Sequence, residues 1–245
     1  MNSYIEACFV TGAGKGIGRA VVDLALQKKQ FIIALVKNKK DLKSDKKKKL
    51  KVFYGDVTKP KDIDKIFSYC LKNQIYIKYL INNAGQRQRK PFLKINKSDL
   101  LKIFQVNFFS VFFIIQKYIL YLNKIKKKGS VVNVGSIVGQ LGFNCLTGYG
   151  STKSAINGLT KSLTAEFTKE KLRFNVVNPG FTKSSFYKKF KTKDKKLYNW
   201  TLSRIPNKKW AEPIEIAKLI HFLCSDESSY INGESISIDG GWTNT

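Results

Sequence analysis

A chain of 245 residues, 43% of them hydrophobic, is long enough to bury one sizeable core. Its formal charge is +28, but only Arg19, Arg87, Arg89, Arg173 and Arg204 are arginine. The lysines are spread along the chain, with local runs at Lys46–Lys49 and Lys126–Lys128. A dedicated nucleic-acid reader concentrates its basic residues and leans on arginine, so the charge predicts nonspecific attraction to polyanions and no specific nucleic-acid partner.

The first segment, MNSYIEACFVTG, enters a strand over Glu6–Val10 with no signal-like stretch before it. TGAGKGIG (Thr11–Gly18) follows, then an amphipathic helix with Ala20, Val21, Leu24 and Ala25 on its apolar side. Strand, glycine-rich turn and helix in that order form a phosphate cradle: glycines admit the backbone to a pyrophosphate, and the helix N-terminus supplies free N–H groups. The spacing is GxxxGxG rather than GxGxxG.

Phe31–Val36 is apolar throughout, as in a parallel strand covered on both faces. It ends at Lys37, where NAD sites place an Asp or Glu for the ribose hydroxyls. Lys37 and Lys15, without a carboxylate at the strand end, favour the 2′-phosphate of NADP(H) over NAD(H). A charged connector, Asp41–Lys49, leads to a strand at Leu50–Tyr54 and to Gly55–Asp56–Val57. The next helix starts near Pro60, and Tyr79–Ile81 forms a fourth strand running into Asn82–Asn83–Ala84–Gly85.

A helix from about Ser98 to Asn123 carries Asn107, whose amide either satisfies backbone or holds a water. Its apolar run Ile103–Leu122 is broken by Gln105, Asn107, Gln116 and Lys117, which fits a buried interface helix better than a membrane span. Ser130–Val134 is strand five, Tyr149 to about Thr168 a long helix, Phe174–Val177 strand six, Pro213–Ser225 a helix and Ser235–Ile238 strand seven. Repeated β–α units argue for one α/β domain over 1–245, a Rossmann-type doubly wound parallel sheet of about seven strands. Cys8, Cys70, Cys145 and Cys224 stand far apart with no CxxC pair, which reads as reduced thiols in a cytoplasmic protein and gives no metal site.

Ser136 follows strand five, and Tyr149 and Lys153 stand four apart in SIVGQLGFNCLTGYGSTK. With Tyr149 in the first helical turn, Lys153 lies on the same face. Its ammonium is expected to lower the phenol's pKa, letting Tyr149 protonate a carbonyl oxygen toward which Ser136 also projects.

Together TGAGKGIG, NNAG, Ser136, YGSTK and NPG resemble the short-chain dehydrogenase/reductase family over essentially the whole chain. The C-terminal half is most similar to its 3-oxoacyl-acyl-carrier-protein reductase branch. The resemblance implies Tyr149 as general acid, Ser136 polarising the carbonyl, Lys153 lowering the tyrosine's pKa and bonding the nicotinamide ribose, and Asn107 holding a relay water. It implies Gly12, Lys15, Gly16, Ile17 and Gly18 around the phosphates, Asp56 and Val57 at the adenine, and Asn83 and Gly85 at the adenosine-side ribose. Pro179, Gly180 and Thr182 would lie by the carboxamide.

It also implies a lid over 184–209 and dimer or tetramer contacts through the long helices, where Phe108, Phe109, Phe112 and Phe113 cluster. The chain departs from the branch at Gln86–Arg87–Gln88–Arg89, which points to an anionic small molecule. The lid's lysines suit an acidic acyl carrier protein. Its aromatics either cover an acyl chain or sugar, or anchor a solvated surface. Three readings follow: reduction of a 3-oxoacyl thioester with NADPH, the same chemistry on a sugar or other small secondary alcohol, and a nucleotide- or RNA-binding module without turnover.

Overall fold

The structure, a computed structural model, describes residues 4–45, 49–167, 169–184, 187, 191–192 and 194–245. Part of the 184–209 stretch and part of the Lys46–Lys49 run therefore lie outside the described residues. One parallel sheet of seven strands organises the chain: β1 (Ile5–Thr11), β2 (Phe31–Val36), β3 (Leu50–Tyr54), β4 (Ile75–Asn82), β5 (Ser130–Val134), β6 (Arg173–Pro179) and β7 (Ser235–Ile238). Their order across the sheet is β3-β2-β1-β4-β5-β6-β7. The helices are α1 (Gly16–Gln27), α2 (Pro60–Lys72), α3 (Lys97–Phe104), α4 (Ser110–Ile125), α5 (Thr147–Glu166), α6 (Lys195–Arg204) and α7 (Pro213–Cys224).

β1 shows why the strands are apolar on both sides. Ala7 and Phe9 pack with Ile66, Ile114, Tyr118 and Phe174 on one face of the sheet. Cys8 and Val10, pointing the other way, pack with Val22 of α1 and with Ile216 and Ile220 of α7. Side chains alternate across a strand, so two layers of helices require an unbroken hydrophobic run, which β2 also has. The chain winds outward through β1, β2 and β3, then returns to place β4 on the other side of β1. Ligands of such sheets bind in the crevice beyond the strand ends at that reversal.

β1, β6 and α5 differ from the sequence reading by one or two residues at their ends, and two elements differ by more. β4 begins at Ile75, not Tyr79, because Ile75, Tyr76 and Ile77 pair with Ile5, Glu6 and Ala7 before an irregularity at Ala7/Cys8. The helix expected over 98–123 extends from Lys97 to Ile125 but passes through a π turn at Gln105–Phe109 that contains the buried Asn107. It is long and apolar enough to cross a membrane, yet Val111, Ile114, Ile115, Tyr118 and Leu122 are packed into the core.

Candidate active site

A cleft of about 300 Å³ opens at the C-terminal ends of β1, β4, β5 and β6. Lys15, Gly16 and Ile17 form one wall, and Asn83 and Gly85 follow at the end of β4. Ser136, Tyr149 and Lys153 face it from β5 and α5, and Pro179, Gly180 and Thr182 from beyond β6. Gly12, Gly18, Lys37, Asp56, Val57 and Asn107 are not among its walls.

The glycine turn is shaped by contact as much as by flexibility. Gly12 has φ +63° and lies so close to the segment just after β4 that an added Cβ would sit 2.8 Å from the Ala84 Cα. A Cβ on Gly18 would fall 2.4 Å from both the Asn83 Nδ2 and the Gly12 carbonyl oxygen. Asn83 staples the turn, its Nδ2 donating to the carbonyls of Thr11 (3.1 Å) and Gly12 (3.0 Å). Gly18→Ala is therefore expected to cost roughly 1–3 kcal/mol of stability through overpacking, read as a lower denaturant midpoint at unchanged slope.

Helix α1 begins at this turn with no side-chain cap and no acidic residue in its first turn. Its free N–H groups and positive dipole end lie at the Lys15–Ile17 wall, which suits a pyrophosphate. The expectation of two ammoniums without a carboxylate is corrected: Lys15 pairs with Asp41 at 3.0 Å and Lys37 with Asp56 at 2.7 Å. Partial burial opposes ionisation of Asp56, but the Lys37 ammonium and the Thr58 N–H and hydroxyl outweigh it and bring its pKa to about 2. Val57 packs against the core cluster beneath α2.

Ser136 leaves β5 as the cap of a short 3₁₀ turn, its Oγ accepting from the Val138 N–H at 3.2 Å. Its own N–H donates to the Asn178 Oδ1 at 2.9 Å, and the Asn178 amide is held in turn by Ser235 at 2.7 Å. A Cβ at Gly135 would lie 2.0 Å from that Oδ1, so Gly135 and Asn178 together set where Ser136 sits. The sequence reading missed both as positioning residues; the available signal was Asn178 heading NPG at the end of β6.

Tyr149 lies in the first turn of α5, one turn before Lys153, as expected. The expected fall in its pKa is not what the structure shows. Burial raises it, outweighing the hydrogen bond with Ser136 and the charge of Arg87, which lower it. Lys153 is buried, and its ammonium donates to the Val134 carbonyl at 2.7 Å and lies 5.9 Å from the centre of the Tyr149 ring. Burial brings its own pKa down to about 8. Desolvation, invisible in a local sequence window, decides both directions.

The Asn107 side chain satisfies backbone. Its Nδ2 donates to the Gln86 carbonyl (2.9 Å) and the Thr152 hydroxyl (3.1 Å), and its Oδ1 accepts from the Gln86 N–H (2.8 Å). Among the described residues of the 184–209 stretch, Tyr187 and Tyr198 pack on Trp210 at 5.4 Å. The Trp210 indole donates to Thr201 at 2.8 Å. These contacts tie the described part of the segment to Trp210, which also lines the cleft.

Residues 12–243 match a family model described as enoyl-(acyl carrier protein) reductase. The chain is 34% identical to the 3-oxoacyl-[acyl-carrier-protein] reductase of Thermotoga maritima, over 96% of this chain and 97% of that one. It superimposes on 4-hydroxyisoleucine dehydrogenase complexed with NADH with a TM-score of 0.91 at 30% identity, covering 98% and 99% of the two chains. That dehydrogenase has also been solved with NADH and succinate, with a TM-score of 0.88 at 29% identity over 97% and 100% of the chains. ElxO with NADP bound gives 0.89 at 26% identity over 99% and 100%.

Proposed function

The chain belongs to the short-chain dehydrogenase/reductase family, an oxidoreductase fold acting on CH–OH groups, and from that premise we propose that it uses NADPH to reduce a ketone to a secondary alcohol. The observation that carries this is the meeting of Ser136, Tyr149 and Lys153 in one cleft with the uncapped start of α1. When bound, the dinucleotide supplies hydride to the carbonyl carbon. Ser136, fixed by Asn178, donates to the carbonyl oxygen and orients it. Tyr149 delivers the proton to that oxygen, and its raised pKa keeps the phenol protonated for this task. Lys153 braces the ribose side from α5.

Gly12, Lys15, Gly16, Ile17 and Gly18 are assigned to the phosphates, and Asp56 and Val57 to the adenine. Asn83 and Gly85 are assigned to the adenosine-side ribose, and Pro179, Gly180 and Thr182 to the carboxamide. Asn107 acts through backbone in this reading, holding Gln86 and, through Thr152, the α5 turn beyond Tyr149. The whole chain is read as one domain of this type.

The NADP preference rests on Lys15 and Lys37. Both ammoniums are exposed, while their partners Asp41 and Asp56 are mostly buried, so a 2′-phosphate competes with those carboxylates for the two lysines. Lys15→Ala combined with Lys37→Ala is expected to raise KM for NADPH at least tenfold more than KM for NADH, each pair losing a charge-assisted contact of roughly 1.5 kcal/mol. An equal rise for both cofactors would remove the assignment.

A 3-oxoacyl group on acyl carrier protein, in fatty acid synthesis, is the first substrate reading, supported by the likeness to the Thermotoga reductase. The test is oxidation of NADPH in the presence of an acetoacetyl thioester. The second reading, a small secondary alcohol or its ketone, is favoured by Arg87 at the cleft wall. We further read the protein as cytoplasmic and as a homodimer or homotetramer. Phe112 and Phe113 are 40% and 53% exposed on α4, an apolar face that pairing of copies would cover.

A further inference from the structure

We propose that Arg87 is a specificity-determining residue that receives a carboxylate of the substrate, so that the cleft selects short oxo-carboxylic acids and their hydroxy-acid products. This deepens the reductase reading and rests on it, while taking the small-molecule substrate rather than the carrier-bound one. In the step, a C–H bond forms at the carbonyl carbon from the hydride of NADPH, which is oxidised to NADP⁺. The C=O π pair takes the Tyr149 proton, and the carboxylate stays unchanged.

Three observations meet at this residue. First, the cations on the cleft wall are Lys15, Arg87 and Lys153, and among the described residues no aspartate or glutamate lines it. Second, Arg87 shares the wall with Tyr149 and is near enough for its charge to act on the phenol. An anion held there is therefore beside the reacting carbonyl.

Third, the backbone carrying Arg87 is clamped on both sides. The backbone N–H and carbonyl of Gln86 both pair with the buried Asn107 amide, and the Lys90 N–H donates to the Cys145 carbonyl at 2.8 Å. Lys90 is further tied to Asp99 of α3. A guanidinium on a braced segment loses little freedom on meeting a carboxylate, and its planar fork matches the two oxygens. Phe143 and Leu146 add apolar surface to the same cleft, while Arg87 itself is exposed to incoming ligand.

The test compares acetoacetate with two neutral ketones of the same core, its methyl ester and its N-acetylcysteamine thioester. A carboxylate–arginine contact predicts kcat/KM roughly tenfold to a hundredfold higher for the acid. Arg87→Gln should bring that ratio close to one, and Arg87→Lys should leave it in between. Arg89→Gln, at a position off the cleft wall, should leave the ratio in place. Succinate binding by calorimetry, with or without NADP⁺, should weaken by the same factor in Arg87→Gln.

A thioester or ester reduced as well as the acid, or an acid preference that survives Arg87→Gln, overturns the proposal and leaves the reductase reading standing. Silence of every ketone overturns the reductase reading instead. Calorimetry then decides the anion site by itself: succinate lost with Arg87 supports it, and succinate unaffected overturns it.

Discussion

Tyr149→Phe is expected to lower kcat for ketone reduction by roughly 10²–10⁴-fold, the range supplied by a positioned general acid, while the Kd for NADPH stays within a few-fold. The ring packs in the first turn of α5 and loses only its hydroxyl, so the fold has no cavity to absorb. What disappears is the proposed proton donor and the partner of Ser136. Because burial raises the phenol's pKa, the free enzyme holds the protonated form that reduction needs, and the reverse oxidation must first remove that proton. The reduction rate should therefore show no fall with rising pH assignable to Tyr149 between pH 6 and 8, taking an ordinary tyrosine pKa of about 10 as the lower bound. Stopped-flow single turnovers alongside a fluorescence titration of NADPH separate the two effects. A variant that retains turnover within a few-fold would remove Tyr149 from the chemistry.

The strands at Phe31–Val36, Leu50–Tyr54, Ser130–Val134 and Ser235–Ile238 were legible in the sequence to the residue. The first is an apolar run short enough for one crossing of a sheet. β4 was half legible, because Lys78 interrupts its pattern and only pairing with β1 draws Ile75–Ile77 into the sheet. The π turn at Gln105–Phe109 has no signature of its own; the buried amide of Asn107 was visible as an anomaly, and its partner Gln86, in a distant loop, was not.

The same limit governs charge. Asp41 and Asp56 reach Lys15 and Lys37 across 26 and 19 positions of chain, a distance at which no local spacing rule operates. The meeting of Ser136, Tyr149 and Lys153 was readable from spacing, but the sign of the tyrosine's shift was not. Sign depends on which of burial and neighbouring charge is larger, and burial is a property of the assembled cleft.

Lys153→Met should separate stability from activity. An ammonium at an ordinary lysine pKa of 10.5 in the unfolded chain and about 8 in the fold costs the folded state on the order of 3 kcal/mol at pH 7. The unfolded chain binds the proton more tightly, so this cost is complete below pH 8 and vanishes as pH approaches 10.5. Methionine fills a similar volume without charge, and the Val134 carbonyl loses one hydrogen bond worth about 1 kcal/mol. The variant should thus be more stable by about 2 kcal/mol at pH 7 by urea unfolding, with the gain gone near pH 10.

Its reductase activity should fall by about 10²-fold, the usual loss when one preorganised donor is removed. In the unmodified protein, reduction should decline as pH rises through about 8, where Lys153 gives up its proton. A variant that is destabilised at pH 7, or a rate that is flat through pH 8, would show that Lys153 is not held as a reluctant cation in the cleft. If both results hold, a charge kept at the expense of stability marks the lysine as retained for chemistry, since packing alone would favour methionine.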